Sequence, residues 1–117
     1  HSKEYIAIIY SKSKMVAIDI EKIQPKIRAI SKKFLHPSES EYTDNNRLTL
    51  IWSAKEAIYK FFHTKDLYSF KETIIITHID DNNIYADAVF SDRIEKLILN
   101  YYLYQDLVVV YYVCPVN

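Results

Sequence analysis

The chain contains no glycine among its 117 residues, although average usage of about 7% would give roughly eight. Glycine readily adopts the positive backbone angles that tight turns need, so these turns must here be formed by Asn, Asp, Ser or Pro. Two polar clusters, residues 11–14 (SKSK) and 81–83 (DNN), each separate two apolar segments. The sequence therefore predicts short strands joined by polar hairpin turns.

The composition indicates one folded domain over residues 1–117. Half of the residues are hydrophobic, and 15 basic residues balance 15 acidic ones. A chain of this length can bury a core without a metal or a disulfide. A net charge of zero argues against nucleic-acid binding, and no apolar run approaches the ~20 residues of a membrane span. The single cysteine cannot form an internal disulfide, so we expect a cytoplasmic protein.

The first third of the chain predicts two strands and a helix. Residues 4–10 and 14–20 have the apolar pattern of short strands. Pro25 can occupy a first helical turn, and apolar residues recur after it at helical spacing: Ile27, Ile30 and Phe34. The His-Pro pair at 36–37 should end that helix, because the residue before proline avoids helical geometry. A Ser-rich, acidic loop follows at 38–44.

The strongest helical pattern covers residues 47–62. Asp44 or Asn45 can cap its start. Its apolar stripe consists of Leu48, Ile51, Ile58 and Phe62, with Ala54 and Ala57 for close packing. This is the longest helix that we expect.

After Phe70 the apolar period changes to two, which predicts strands. Residues 71–80 pair with 84–90 in a hairpin that turns at 81–83. A second hairpin covers residues 94–114 and turns at Gln105-Asp106. The element order is therefore β-β-α-α-β-β-β-β, an α+β fold with a largely antiparallel sheet and two helices.

Acidic residues end the second predicted strand. Asp19 and Glu21 lie two apart in the segment IDIE, so both side chains should project from one face. Ile18 and Ile20 should then point the other way, into the core. Carboxylates at a strand end are commonly only turn residues, and this interpretation stays open for the pair taken alone.

The long helix adds a third carboxylate. Glu56 and Lys60 lie four apart and share one face with Trp52, which lies one turn earlier. A Glu followed by Lys at this spacing also suits a solvated helix ion pair. In combination, however, Asp19, Glu21 and Glu56 offer the hard oxygen ligands that Mg²⁺ prefers, together with substrate phosphates and water.

Two segments resemble the paired signature of the 4′-phosphopantetheinyl transferases. In that family an acidic (I/V)-D-(I/V/L)-E strand precedes a (W/F)-(S/T/C)-x-K-E-(A/S)-x-x-K helix, as AIDIE at 17–21 precedes WSAKEAIYK at 52–60 here. Ala17 stands where the family usually has glycine. The initial His-Ser is similar to the Ser-His-Ser segment of larger members, and KKFLHPSE at 32–39 resembles the stretch between the signatures.

Two subclasses of this family are known, a small trimeric type and a pseudo-dimeric type of about twice this length. The chain has the length of the first, but its motifs resemble the C-terminal half of the second, surfactin-synthetase-activating type. The resemblance therefore implies a transferase half-domain that is the second half of a longer enzyme and is completed by a missing N-terminal half, by a partner chain or by a homo-oligomer.

The resemblance also implies a reaction and a role for each matched residue. The 4′-phosphopantetheine arm of coenzyme A would pass to a serine of an acyl or peptidyl carrier protein in fatty acid, polyketide or nonribosomal peptide biosynthesis. Glu56 and Lys60 would be catalytic: Glu56 takes the serine proton, and Lys60 neutralises the pyrophosphate. The Mg²⁺ ligands would be Asp19, Glu21 and Glu56. The coenzyme A contacts would be His1, Ser2 and Lys60.

Two alternatives to this enzyme remain. The same fold can serve as a non-catalytic half that binds a carrier protein or acts as a scaffold. An aromatic sheet can also stack single-stranded RNA, but zero net charge and the lack of a basic, glycine-bearing strand motif disfavour that function.

Several other residues have both a structural and a functional interpretation. The basic segment 22–33 is either a solvated face or a docking surface for an acidic carrier-protein helix. Lys55 points away from Glu56 and Lys60, and its role stays open. We interpret Cys114 as an inert, buried thiol. Structural or surface roles are expected for His36, His63 and His78. Sheet packing, or an intersubunit interface, is expected for Tyr101, Tyr102, Tyr104, Tyr111 and Tyr112.

Overall fold

A computed structural model describes residues 16–114 of the chain. The predicted strand at 4–10 and the first residues of the predicted strand at 14–20 lie outside this range. The elements are β1 (Val16–Lys22), α1 (Ile27–Ile30), α2 (Asn45–Phe62), α3 (Phe70–Thr73), β2 (Ile74–Ile79), β3 (Asn83–Val89), β4 (Ile94–Tyr104) and β5 (Leu107–Val113).

The described strands form one antiparallel sheet in the order β1-β5-β4-β3-β2. Strand β1 is thereby brought beside the last strand of the chain, with Asp19 opposite Val110. Helix α2 packs across β1 and β5 on one face of the sheet. The predicted α+β fold with a largely antiparallel sheet is confirmed.

Helix α2 forms where its sequence predicts it. The side chain of Asp44 accepts a hydrogen bond from the Arg47 amide at 3.0 Å, so Asp44 is the N-cap. The predicted stripe is buried against the sheet, apart from the half-buried Phe62 at its end: Leu48, Ile51, Ala54, Ala57 and Ile58. Burial of this apolar face is what fixes the helix on the sheet.

Tight turns form without glycine in two ways: through side-chain hydrogen bonds and through other residues that adopt a positive φ. Asp80 stabilises the β2–β3 turn, because its Oδ1 accepts hydrogen bonds from the amides of Asn82 and Asn83 at 2.9 and 2.7 Å. Elsewhere in residues 16–114, positive φ angles fall on His63 (48°) and Gln105 (56°). The prediction that only Asn, Asp, Ser and Pro would form tight turns was therefore wrong. His63 is held in this conformation by its amide, which donates to the Tyr59 carbonyl at 2.7 Å.

Two predicted boundaries need correction. The helix expected from Pro25 to Phe34 is a single turn, α1, followed by a 3₁₀ turn at Ser31–Lys33. Ile27 and Phe34 are buried, but Ile30 is exposed, so the three residues do not form one stripe. The strand expected from residue 71 begins at Ile74, because α3 occupies the preceding turn.

Candidate active site

Asp19 and Glu21 project from one face of β1, as predicted. That face meets helix α2. Ala17 and Asp19 are buried there, whereas Glu21 is half-buried near the strand end. The expectation that Ile18 and Ile20 enter the core was wrong. Both are half-buried on the opposite face, because α2 covers the side of the strand that carries the carboxylates.

The carboxylate of Asp19 is held by two side chains of helix α2. Its Oδ1 accepts a hydrogen bond from Lys60 Nζ at 2.7 Å, and its Oδ2 accepts one from Ser53 Oγ at 2.8 Å. Ser53 and Lys60 lie two helical turns apart, so both face the same strand. Lys60 is about half exposed (51%), while Asp19 is only 4% exposed.

Lys60 therefore joins the helix to β1. The solvated pair with Glu56, considered above as a surface interpretation, is not formed: within residues 16–114 the ion pair of Lys60 is with Asp19. The side chains still interact at longer range, since the charge of Lys60 opposes the rise in the pKa of Glu56.

The three carboxylates are electrostatic neighbours. Burial, and after it a hydrogen bond and charge repulsion from Asp19, raise the pKa of Glu21 from 4.5 to about 8, and the charge of Glu56 adds to this. Burial and the charge of Asp19 also raise the pKa of Glu56. The ionised forms of Glu21 and Glu56 are thus disfavoured beside Asp19, and a cation bound at this site would favour them.

The chemistry of these donors fits Mg²⁺, which is bound by carboxylate oxygens. Within residues 16–114, however, no three His, Cys, Asp or Glu side chains are grouped closely enough to form a metal site. The Oδ1 atom of Asp19 accepts a hydrogen bond from Lys60, so this carboxylate is directed towards the lysine of the site. Binding of a cation by all three carboxylates thus requires their side chains to move closer together.

A second, fully buried ion pair lies behind the site. Lys55 Nζ donates to Glu39 Oε1 at 2.9 Å and to the carbonyl oxygens of Phe34 and Phe70 at 2.6 and 3.2 Å. Burial lowers the pKa of Lys55, and the charge of Glu39 opposes that effect. The other oxygen of Glu39 accepts from the Ile76 amide at 2.5 Å.

This pair answers the question that the sequence left open for Lys55. Its ammonium group joins α2 to the loop before it and to the chain at α3, so its role is structural. Sequence reasoning placed Glu39 in a solvated acidic loop and missed its burial. A signal existed, because Pro-Ser-Glu after His36 has the spacing of a capping box, and Glu39 Oε1 does accept from the His36 amide at 2.7 Å.

A cleft of about 230 Å³ opens beside Glu21. Trp52 forms one wall, and its ring lies 5.3 Å from that of Phe34 and 5.6 Å from that of Phe70. The remaining lining residues are Lys22, Gln24, Lys26, Ile27, Ile30 and Thr49. The cleft therefore joins the acidic site to the basic segment 22–33 and has a mixed apolar and cationic surface.

The other predicted residues fall into place as follows. His1 and Ser2 lie outside the described residues. His36 caps the turn Pro37–Glu39, His63 ends α2, and His78 contacts the ring of Tyr85 at 5.5 Å, so all three are structural as predicted. Cys114 is half-buried rather than buried. Among the tyrosines, Tyr101 and Tyr112 pack against the core.

The site and the sheet together define a class of protein: an α+β domain with an acidic site at the junction of an outer strand and one long helix. A family model of the 4′-phosphopantetheinyl transferase superfamily matches residues 15–111. The chain belongs to this superfamily, and membership implies a transferase function of the phosphopantetheinyl transferase type. No curated protein matches the chain significantly in sequence. No helix within residues 16–114 is long and apolar enough to span a membrane.

Proposed function

We propose that the protein transfers the 4′-phosphopantetheine arm of coenzyme A to a serine hydroxyl of an acyl or peptidyl carrier protein, with Mg²⁺ as cofactor. The observation that carries this proposal is the contact of β1 with α2, where Asp19, Glu21 and Glu56 interact with one another beside Lys60. The proposal also rests on membership of the superfamily.

Asp19, Glu21 and Glu56 would hold the metal ion. When bound, Mg²⁺ supplies charge neutralisation for the pyrophosphate of coenzyme A. The raised pKa values of Glu21 and Glu56 support this assignment, because burial and the neighbouring carboxylates disfavour their ionised forms, which a bound cation would favour.

Glu56 and Lys60 would act on the reacting groups. In the reaction, the serine oxygen would bond to the phosphorus that carries the pantetheine arm. The bond between that phosphorus and the bridging oxygen of the pyrophosphate would break, and the bridging oxygen would leave with adenosine bisphosphate. Glu56 would accept the serine proton, directly or through a water molecule; burial and the charge of Asp19 raise its pKa, which makes the carboxylate a stronger base. Lys60, half exposed, stabilises the negative charge of the departing adenosine bisphosphate.

His1 and Ser2 would contact a phosphate of coenzyme A, an assignment that rests on the family resemblance alone. The carrier protein would dock on the basic segment 22–33, beside the cleft that Trp52 and Glu21 line. Lys22 and Lys26 lie at this cleft, so complementary charge would bring an acidic carrier helix next to the carboxylates.

The face of the sheet opposite α2, on which no helix of residues 16–114 packs, supports a partner for this domain. This face carries half-buried apolar side chains of β1 and β5, namely Ile18, Ile20 and Tyr111. It also carries two exposed apolar side chains of β4, Ile94 and Ile98. Apolar faces of this kind are found at interfaces between proteins. We propose that the chain is the second half of a longer enzyme, or that it pairs with a partner chain or with its own copies.

A mass-shift assay tests the proposed reaction. The full chain is incubated with an apo carrier protein, coenzyme A and Mg²⁺, and the carrier should gain the mass of one phosphopantetheine group. The gain should require Mg²⁺ and the carrier serine. A carrier that binds without gaining mass would instead indicate the non-catalytic, carrier-binding alternative.

A further inference from the structure

Ser53 is a fully buried polar residue in the middle of α2. Its Oγ lies 2.8 Å from Oδ2 of Asp19 and 3.3 Å from the backbone carbonyl oxygen of the same residue. A serine hydroxyl has one proton to donate, and the carboxylate oxygen is the nearer and the more strongly charged acceptor. The hydroxyl therefore donates to Asp19 Oδ2.

The two oxygens of Asp19 have different surroundings. Oδ2 is bonded to the buried Ser53, whereas Oδ1 is bonded to Lys60, whose side chain is half exposed. A carboxylate held at one oxygen by a buried donor cannot rotate freely, so Oδ1 stays directed towards the open side of the site. Packing alone does not explain a hydroxyl here, because Ala57, one turn further along the same face of α2, is an alanine buried in the same core.

We propose that Ser53 is a positioning residue that fixes the Asp19 carboxylate, so that Oδ1 is the oxygen offered to a divalent cation. This inference rests on the proposed function, since it concerns the same carboxylate site. A hydrogen bond to the second oxygen of a ligating carboxylate fixes its orientation, and loss of such a partner typically lowers metal affinity about 10- to 100-fold.

The test is the affinity of the full chain for Mn²⁺, measured by calorimetry and by the electron paramagnetic resonance signal of the free ion. Ser53→Ala removes the hydroxyl, and Ser53→Cys keeps nearly the same size with a weak donor. Both variants should bind Mn²⁺ about tenfold more weakly or worse. Ser53→Thr retains the hydroxyl and should bind within a few-fold of the wild type.

The matched control is Thr73→Val. Thr73 Oγ1 donates to the Ser69 carbonyl at 2.7 Å, away from the acidic site, so this variant loses a local side-chain hydrogen bond without touching Asp19. Its Mn²⁺ affinity should equal that of the wild type. Circular dichroism of each variant establishes folding, and Ser53→Cys provides the comparison if Ser53→Ala does not fold.

A steady-state assay gives a second readout. In Ser53→Ala the Mg²⁺ concentration for half-maximal transfer should rise about tenfold, while the KM for the carrier protein stays unchanged. Mn²⁺ affinity equal in Ser53→Ala, Ser53→Cys and wild type would overturn this inference and leave the proposed function standing. A wild-type chain that binds no Mn²⁺ would overturn both.

Discussion

The ammonium group of Lys60 lies 2.7 Å from Oδ1 of Asp19, so a residue near the end of the long helix is ion-paired to a residue of the first described strand. The two residues are 41 positions apart in the chain. Asp19 is almost fully buried and Lys60 is half exposed, so the pair connects the interior to the surface at the acidic site.

The first prediction concerns Glu56 as the general base. Glu56→Gln should reduce transfer more than about 100-fold, because a positioned base contributes at least that factor. The melting temperature should not fall, since burial and the charge of Asp19 already disfavour the ionised form of Glu56 and raise its pKa. Transfer is followed by mass spectrometry and melting by circular dichroism, with Glu72→Gln as a surface control. Parallel losses of activity and stability would contradict the catalytic role.

The second prediction separates the charge of Lys60 from its packing. Lys60→Met should abolish transfer and should also destabilise the fold by roughly 1–3 kcal/mol, because a buried carboxylate loses one of its two partners. The double variant Asp19→Asn/Lys60→Met should recover part of that stability but none of the activity. Chemical denaturation of the single and double variants gives the coupling energy. Additive losses of stability would show that the two side chains do not interact.

The third prediction is a pH dependence of stability in the absence of metal. The pKa of Glu21 is raised from 4.5 to about 8, so between these values the folded chain binds more protons than the unfolded chain. Stability should therefore be greatest below this range and should fall as the pH rises through it. Urea unfolding at either end of the range measures the change.

Two additions to that experiment identify the cause. Mg²⁺ should restore stability at the alkaline end, because a divalent cation favours the ionised carboxylates. Glu21→Gln should flatten the pH dependence, since the titrating group is gone. A slope of equal size in Glu21→Gln and wild type would assign the effect to another residue.

The fourth prediction concerns the buried pair of Lys55 and Glu39. Lys55→Met or Glu39→Gln alone should cost about 3–5 kcal/mol, because each leaves a buried charged partner uncompensated. Replacing both residues by methionine should cost less than either single change. The exposed pair of Lys22 with Asp106 is the matched control, and Lys22→Ala should change stability by less than about 1 kcal/mol. A small effect in both single variants at Lys55 and Glu39 would show that water reaches the pair.

The fifth prediction concerns completeness. The apolar sheet face opposite α2 should make the chain self-associate or bind a first half, and the chain alone should bind coenzyme A weakly. Sedimentation velocity over a range of concentrations, together with calorimetry, measures both properties. A monomer that binds coenzyme A and Mg²⁺ with micromolar affinity would show that one half is sufficient.

Much of the local structure was predictable from the sequence. The pattern of helix α2, its cap at Asp44 and both described hairpins follow from residues close together in the chain. Short-range rules were weaker at α1, which is a single turn instead of a longer helix, and at the end of α2, where His63 adopts a positive φ.

The candidate site was likewise predictable from the sequence only in part. The alternation of a strand placed Asp19 and Glu21 on one face, and helical spacing placed Glu56 near Lys60, before any fold was known. The sequence favoured burial of the apolar face of β1, which carries Ile18 and Ile20. The position of α2 instead buries the face that carries Ala17 and Asp19. For this reason Ile18 and Ile20 were assigned to the wrong side.

The sequence by itself determined helix α2, the two hairpins, the family resemblance and the set of carboxylates, because these depend on residue types at fixed, short spacings. Only the tertiary structure decided that Lys60 pairs with Asp19 rather than Glu56, that Ser53 donates to Asp19, and that Glu39 is buried with Lys55. These contacts join residues 16 to 41 positions apart. The two contacts of Asp19 form because β1 lies against the long helix, and all three contacts satisfy polar groups that are buried when the chain folds.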